Sequence, residues 1–174
     1  LPQSEIPTPQ AGMVDSRGRI WIGTNGGGVA VLEQNKYRVF GIKDGLNSNL
    51  ISSIVEDSEG NIWILSQNQN ISKYDGKTFT SFPELNGKIV LSGILALDKW
   101  KNVWVLSFGA GANNTLYWKP NNETTFREYK QANLGNLPSP NLFLTPTSDF
   151  EAYLNYQGKE FRFNGNKFEE VIYS

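Results

Sequence analysis

The chain has 174 residues, carries 16 Lys and Arg against 17 Asp and Glu, and contains neither His nor Cys. A net charge of −1 with scattered basic residues leaves no electrostatic footprint for nucleic acid or an anionic membrane surface. Without His and Cys, a Ser-His-Asp triad, a Cys nucleophile and the commonest zinc ligands are excluded, and no apolar run reaches the roughly 20 residues that direct membrane insertion needs.

The first predicted element pair lies in the segment DSRGRIWIGTNGGGVAVL at 15–32, where a short apolar strand around Trp21 is followed by a run of glycines. A phosphate-binding loop should lead into a helix, whereas these glycines lead into a β-branched strand with no Lys behind them. The segment therefore predicts a β-hairpin with the glycines in its turn.

The same pattern returns as DSEGNIWILSQNQNISKY at 57–74, with Trp63 in the place of Trp21. A third copy has Trp104 in this place, and a weaker fourth copy has Tyr153 there. Asn replaces Gly in the turn of the second copy. Since Asn is the residue with a side chain that best tolerates a positive φ, we interpret these positions as turn residues and not as a ligand cradle.

Each copy predicts four short strands joined by tight turns, in the order of an antiparallel meander. The second strand has apolar residues on both sides of its Trp, so both faces are expected to be covered. Such a sheet, repeated with a period of about 42 residues, is typical of a propeller blade, with Trp filling the gap between blades. We predict an all-β fold, a β-propeller of four-stranded antiparallel blades with four blades in this chain.

The whole chain, 1–174, is expected to be a single propeller domain or a fragment of one. The predicted blades cover about 11–41, 52–83, 92–129 and 142–172. Four blades can close a ring unaided, so the repeat count alone does not separate a small propeller from part of a larger one.

Residues 41–66, GIKDGLNSNLISSIVEDSEGNIWILS, resemble the two-component-regulator propeller repeat, with its DGL-x-x-N segment, Asp turn and Gly-x-Ile-Trp-Ile strand. The resemblance covers 15–82 well and 90–129 less well, and it implies the periplasmic sensor region of a hybrid histidine kinase of the Bacteroidetes type. In that family such repeats form seven-bladed propellers that precede further sensor and kinase domains, and many members respond to oligosaccharides. The partners implied are therefore an oligosaccharide or another small ligand, further blades or sensor and kinase domains, and, for an open fragment, a second copy.

Ligands of propellers usually contact the loops at the channel mouth, which here are the turn between strands two and three and the link between copies. Asn and Asp suit sugar hydroxyls, and aromatic rings suit sugar faces. The candidate ligand-binding residues are Asn25, Asn68, Asp44, Asn47, Asn49, Trp100 and Phe108. The alternative interpretation is that the polar residues cap turns and that the Trp packs on a neighbouring turn.

Catalysis could come only from carboxylates, and the regular ones, Asp15, Asp57 and Asp98, recur once per copy as turn formers should. No acid/base pair is evident, so we predict no catalytic residue, no metal, no cofactor and no enzyme activity. The first hypothesis is a non-catalytic, ligand-sensing or interaction propeller. The alternatives are a carbohydrate-active lyase or glycosidase on a propeller scaffold, and a structural module whose open edges pair with more blades.

Overall fold

The computed structural model describes residues 7–67, 71–85, 92–108, 114–130, 142–146 and 151–173. The chain divides into two compact units, Leu1–Ser92 and Gly93–Ser174. The regular structure of the described residues consists of short β-strands and two single-turn 3-10 helices. An all-β class is what the turn density and strand spacing of the sequence predict.

Unit one contains two four-stranded antiparallel sheets, each with its strands in chain order. The first sheet consists of β1 (Pro9–Val14), β2 (Ile20–Thr24), β3 (Val29–Glu33) and β4 (Lys36–Phe40). The second sheet consists of β5 (Ile51–Glu56), β6 (Ile62–Ser66), β7 (Ile71–Tyr74) and β8 (Phe79–Phe82). The 3-10 helix Ile42–Asp44 lies in the link between the sheets, and the 3-10 helix Pro83–Leu85 follows β8.

Unit two repeats this arrangement from the unit boundary onward. The third sheet consists of β9 (Ser92–Leu97), β10 (Val103–Phe108), β11 (Thr115–Lys119) and β12 (Arg127–Glu128). The fourth sheet consists of β13 (Leu142–Pro146), β14 (Ala152–Tyr156), β15 (Lys159–Phe163) and β16 (Phe168–Glu170). The four sheets in repeat order confirm the predicted class of four-stranded antiparallel blades.

The turn between the first two strands has the same geometry in three sheets. The N–H of the fourth turn residue donates to the carbonyl of the Asp at 2.9 to 3.0 Å, and that fourth residue has a positive φ. Gly18 and Gly60 adopt this backbone at no steric cost, whereas Lys101 holds a φ of 66° with a side chain present. The turn therefore persists in the third copy even though its favoured glycine is gone.

The Trp of one sheet packs against the next sheet within each unit. In unit one, Trp21 is fully buried in a cluster with Ile62, Ile64 and Tyr74 of the second sheet. In unit two, the ring of Trp104 lies 4.8 Å from that of Phe163 in the fourth sheet. The prediction that these indoles fill the space between neighbouring sheets is confirmed for both positions.

The expectation that both faces of every second strand are covered is wrong for β2. All five residues of β6 and the first five of β10 are buried, whereas Ile20 of β2 is exposed and Ile22 only half-buried. The physical reason is that the second sheet covers the Trp21 face of the first sheet, while the opposite face lies open to solvent.

Candidate functional site

An Asp carboxylate and an indole N–H meet in the same way in three of the sheets. The Asp Oδ2 accepts a hydrogen bond from the Trp Nε1 six positions later, over 2.7, 2.9 and 2.8 Å in the pairs Asp15–Trp21, Asp57–Trp63 and Asp98–Trp104. The Oδ1 of each Asp accepts the backbone N–H groups two and four positions later. We call this arrangement the Asp–Trp clasp.

The clasp leaves these carboxylates little capacity for proton transfer or nucleophilic attack, because their oxygens already accept several hydrogen bonds. Asp15 also accepts from Arg19 Nε over 2.6 Å. Burial raises the pKa of Asp15, but hydrogen bonds from the Trp21 indole and from the backbone and side chain of Arg19 outweigh it, and the pKa lies below its usual value. In the second and third copies the side-chain amides of Asn61 and Asn102 donate where Arg19 does in the first.

The fourth sheet has a different pair at the corresponding place. The Tyr153 hydroxyl donates to Glu151 Oε2 over 2.7 Å, and Lys99 Nζ lies 3.4 Å from Glu151 Oε1. The hydrogen bond from Tyr153 holds the pKa of Glu151 below its usual value and raises the pKa of the phenol. This pair is more exposed than the clasp, so the fourth copy has lost the buried indole–carboxylate contact.

Two of the candidate residues fold the link between the first and second sheets. Asp44 Oδ2 accepts the backbone N–H of Gly41 over 2.8 Å, and Asn49 Oδ1 accepts that of Ile42 over 3.1 Å. Both side chains are half-buried. Their polar atoms therefore satisfy the backbone of the 3-10 turn, which is the capping role that sequence reasoning kept as its alternative.

The glycine turn lies against this link. The N–H groups of Gly26 and Gly28 each donate to the Asn49 carbonyl over 3.0 Å. Gly28 has a φ of +77°, and a Cβ there would collide with the carbonyl oxygen of Phe40. Glycine is thus required by the turn and by the close approach of two backbones. The turn and the link form one loop cluster, comprising residues 25–28 and 41–50.

Within the loop cluster, Asn25 is the exposed candidate. Its backbone N–H donates to the Thr8 carbonyl over 2.9 Å, and its side-chain amide makes no hydrogen bond to a described residue. Asn47, by contrast, donates from Nδ2 to the Ile71 carbonyl over 3.3 Å and accepts from Ser81 Oγ over 2.7 Å. Asn68, the counterpart of Gly26 in the second copy, lies outside the described residues.

The two aromatic candidates lie in unit two and both pack on its core cluster. Trp100 is half-buried, its ring meets Phe163 edge to face at 5.5 Å, and its indole lies so close to Gly165 that a Cβ there would overlap it. Lys99 Nζ lies 4.8 Å from the centre of the Trp100 ring. Phe108 is half-buried. The surroundings of Trp100 favour packing on a neighbouring turn over a free stacking platform.

Sequence reasoning missed a groove of about 230 Å³ that is lined mainly by β2, β3 and β4 of the first sheet and also by Tyr74 of the second sheet. Its lining includes the cationic side chains of Arg19, Lys36 and Arg38 and the rings of Tyr37, Phe40 and Tyr74. The Arg38 guanidinium lies 4.2 Å from the centre of the Phe40 ring. The signal in the sequence was the pair Arg38 and Phe40, which are two positions apart on β4 and therefore on the same face of the strand, where a cation can lie beside a ring.

The described part of the chain holds no group of three or more carboxylates or other ligands that could bind a metal ion. Among the same residues, no helix has the length and apolar character needed to cross a membrane.

Residues 45–68 match the family model described as two component regulator propeller. The chain contains a two-component regulator propeller repeat. The matched segment begins in the loop cluster, includes β5 and β6, and contains the complete Asp–Trp clasp of the second sheet. No curated protein matches the sequence significantly.

Solved structures show the same fold at low sequence identity. Virginiamycin B lyase from Staphylococcus aureus matches with a TM-score of 0.70 and 14% identity over 95% of this chain and 55% of that chain. A streptogramin B lyase matches with a TM-score of 0.69 and 18% identity, over 96% and 56% of the two chains. An extracellular domain from a B. thetaiotaomicron protein described as a hybrid two component system matches with a TM-score of 0.67 and 21% identity, over 97% and 23%.

The chain spans about half the length of the two lyases and about a quarter of the extracellular domain. At these identities the likeness establishes the fold, a β-propeller of four-stranded blades.

Proposed function

We propose that this chain is a non-catalytic, ligand-sensing part of a propeller in the periplasmic region of a two-component sensor, and that its ligand is an oligosaccharide. The regulator propeller repeat at 45–68 supports the sensor role. The fold likeness to extracellular domains of hybrid two-component systems supports the periplasmic location. A chain of this kind would bind its ligand and shift the arrangement of further sensor and kinase domains in the parent protein.

The non-catalytic part of the proposal rests on the Asp–Trp clasp. Each recurrent Asp already accepts hydrogen bonds from an indole and from two backbone N–H groups. A glycosidase needs two carboxylates facing each other across a cleft, and these Asp residues belong to turns in three different sheets. Their hydrogen bonding suits a structural role, which supports binding as the function.

The ligand site that we propose is the loop cluster, centred on Asn25. Its amide is exposed and offers both a donor and an acceptor to a sugar hydroxyl. Asp44, Asn47 and Asn49 shape the cluster through their hydrogen bonds to the backbone and to Ser81. We expect Asn68 to contact the ligand from the equivalent turn of the second copy. Trp100 and Phe108, which lie in unit two, remain predicted contacts for a sugar ring.

A thermal-shift screen with neutral and acidic oligosaccharides tests the proposal. We expect at least one sugar to raise the melting temperature of the wild-type chain and Asn25→Ala to reduce that shift at least about threefold. Without sugar, Asn25→Ala should melt within about 2 °C of wild type, since truncating an exposed side chain changes stability by less than about 0.5 kcal/mol. The matched control, Asn122→Ala, replaces another exposed turn Asn and should leave the ligand shift unchanged.

The sugar is then recovered and analysed by mass spectrometry. We expect to recover the sugar intact, as for a sensor. Recovery of cleaved sugar would contradict the non-catalytic proposal and indicate an enzyme. If no oligosaccharide shifts the melting curve, the saccharide proposal is wrong. If Asn25→Ala and Asn122→Ala reduce the ligand-induced rise in melting temperature equally, the loop cluster is not the binding site.

The second candidate function is a lyase, favoured by the fold likeness to virginiamycin B lyase. A catalytically inactive form of that enzyme carries a His-to-Ala substitution, whereas the present chain contains no His. The lyase candidate thus needs a different catalytic group. Incubation of the chain with virginiamycin B, followed by liquid chromatography and tandem mass spectrometry, would reveal an altered compound if lyase chemistry is present, and we expect none.

A further inference from the structure

The groove of about 230 Å³ in unit one lies apart from the loop cluster. Its inner lining includes the ring of Phe40, which is 4% exposed. Its exposed lining carries three charged side chains, those of Glu33, Lys36 and Arg38. The groove includes the starts of β2 and β4, whereas the loop cluster follows the ends of these strands, and the two share no lining residue. The groove is therefore separate from the ligand site proposed above.

The charges that line the groove do not all balance one another. The Arg19 guanidinium is paired with the buried Asp15 carboxylate, with Nε 2.6 Å from Oδ2. Glu33 and Lys36 lie opposite each other in the β3–β4 hairpin and carry opposite charges. The guanidinium of Arg38 is the charge in excess, because within the described part of the chain no carboxylate forms an ion pair or a hydrogen bond with it.

An aromatic ring holds the Arg38 guanidinium in the groove. Its carbon Cζ lies 4.2 Å from the centre of the Phe40 ring, which is two positions further along the same strand and on the same face. A cation–ring contact positions a guanidinium without giving it a hydrogen-bond acceptor. None of its five N–H donors bonds to a described residue. A positioned guanidinium with free donors is suited to bidentate binding of a carboxylate.

The third sheet has an arginine, Arg127, at the position that Arg38 has in the first. The equivalent rows of paired residues are Trp21–Val31–Arg38 and Trp104–Trp118–Arg127. Arg127 also lies over a ring, with its Cζ 5.1 Å from the centre of Trp118. Unlike Arg38, it has an acceptor, since its Nη2 donates to Glu123 Oε1 over 2.7 Å. The arginine of the third sheet thus binds a carboxylate that the chain itself supplies.

We propose that the groove is a second ligand site, in which Arg38, with Lys36 beside it, binds the carboxylate of a small organic acid. The ligand's carboxylate would contact Arg38 as Glu123 contacts Arg127. The exposed lining has two cations and one carboxylate, so one negative charge balances it, whereas a phosphate group with a charge of about −1.5 to −2 would exceed it. The groove is smaller than the roughly 300–1,000 Å³ of pockets for drug-sized ligands, which favours an acid about the size of one sugar ring.

Titration of the isotope-labelled chain with glucuronate, followed by NMR, tests the site. Binding should shift the Nε–H signal of Arg38 and saturate in roughly the millimolar range, as for a small ligand with one charged contact. Glucose, the same sugar without the carboxylate, should cause no such shift at equal concentration, and inorganic phosphate should bind more weakly than glucuronate. An equal shift with glucose, or tighter binding of phosphate, would contradict a carboxylate site.

Substitutions in the groove test the role of each charge. Arg38→Gln should lower the affinity for glucuronate at least about tenfold, because it removes the charge-assisted hydrogen bonds. Glu33→Gln should raise the affinity by about two- to fivefold, because it removes a negative charge from the lining. The matched control, Arg127→Gln, removes an arginine that already has a carboxylate partner and should leave the affinity unchanged. Unchanged binding by Arg38→Gln, weaker binding by Glu33→Gln, or an equal loss in Arg127→Gln would overturn the proposal.

These outcomes are separable from misfolding and from the loop cluster. Arg38 is exposed, so Arg38→Gln should melt within about 3 °C of wild type. If it melts lower, Arg38→Lys serves as the second variant, since it keeps the charge but not the fork of donors and should still weaken binding by about threefold; undiminished binding would overturn the bidentate contact. Asn25→Ala should leave glucuronate binding at Arg38 unchanged, whereas loss of binding in Asn25→Ala alone would assign the acid to the loop cluster.

Discussion

At the scale of single residues, the Asp–Trp clasp explains why Asp recurs in each regular copy. Its carboxylate ties together a turn, through two backbone N–H groups, and a buried indole, through Nε1. A buried indole N–H without a partner would destabilise the core, and a carboxylate is a strong acceptor. The Asp thus accepts the hydrogen bond of the indole N–H of the Trp that fills the space between two sheets.

We predict that Asp15→Asn lowers the free energy of unfolding by about 1–3 kcal/mol at pH 7, because an amide cannot accept all the hydrogen bonds of the carboxylate. The pKa of Asp15 is lowered in the folded state, so its stabilisation is present above the unfolded pKa of about 3.9 and is lost as the pH falls further. The difference in unfolding free energy between wild type and Asp15→Asn should therefore narrow as the pH falls below about 4, as measured by urea unfolding.

Glu33→Gln is the control for that experiment, since Glu33 is an exposed carboxylate on the same sheet. Its unfolding free energy should stay within about 0.5 kcal/mol of wild type at pH 7. A gap between wild type and Asp15→Asn that persists unchanged at low pH would contradict the role of the ionised carboxylate.

At the scale of elements, the close approach of neighbouring sheets depends on small residues. Gly23 in β2 faces Ile51 and Ile54 of β5 so closely that a Cβ on it would overlap the Ile51 side chain. Ile51 is fully buried and has little room to move in a densely packed interior. The spacing between the first and second sheets is therefore set by backbone at this point.

We predict that Gly23→Ala destabilises the protein by about 1–3 kcal/mol through overpacking. Gly12→Ala is the matched control, because Gly12 lies on the neighbouring strand and a Cβ there would be 3.6 Å from the Trp21 carbonyl oxygen, an ordinary contact. Thermal unfolding should separate the two variants clearly. Equal stability would mean that the sheets can shift apart without cost.

At the scale of the whole molecule, the described residues include two clusters of buried side chains that each surround a Trp. One cluster surrounds Trp21 in unit one and another surrounds Trp104 in unit two, and they share no residue. Each cluster joins two successive sheets by the same indole packing. The repeat is consequently the unit of stabilisation as well as of sequence.

We predict that Trp21→Phe and Trp104→Phe each lower the unfolding free energy by about 1–3 kcal/mol, through the lost hydrogen bond and the smaller ring. The double variant should show the sum to within about 0.5 kcal/mol, because no described residue belongs to both clusters.

The control for this additivity is Trp21→Phe combined with Phe40→Leu, since the Trp21 and Phe40 rings stack with their centres 6.2 Å apart. The effects of these two substitutions should couple by more than about 0.5 kcal/mol, because the residues are in contact. A coupling as large as this between Trp21→Phe and Trp104→Phe, measured by urea unfolding, would contradict separate cores.

Local features of the fold could be predicted because they depend on near neighbours in the chain. The hairpin turn at Gly26 and Gly28 follows from residues that permit a positive φ. The position of Trp21 between sheets follows from the recurrence of the repeat and from apolar flanks on a short strand. The spacing from Asp15 to Trp21 was visible too, but not that the two side chains would be hydrogen-bonded.

The sequence by itself determined the repeat, the four-stranded sheets and the positions of the turns, since strand period, turn residues and aromatic spacing are local physical constraints. Only the tertiary structure decided which polar groups are already bonded and which apolar face is covered. Asn47 finds Ser81 on another strand, Asn25 stays exposed, and Ile20 faces solvent where the equivalent Ile62 is buried. These outcomes depend on which sheets pack against each other. The sequence of a single strand does not specify which other sheet will pack on its face.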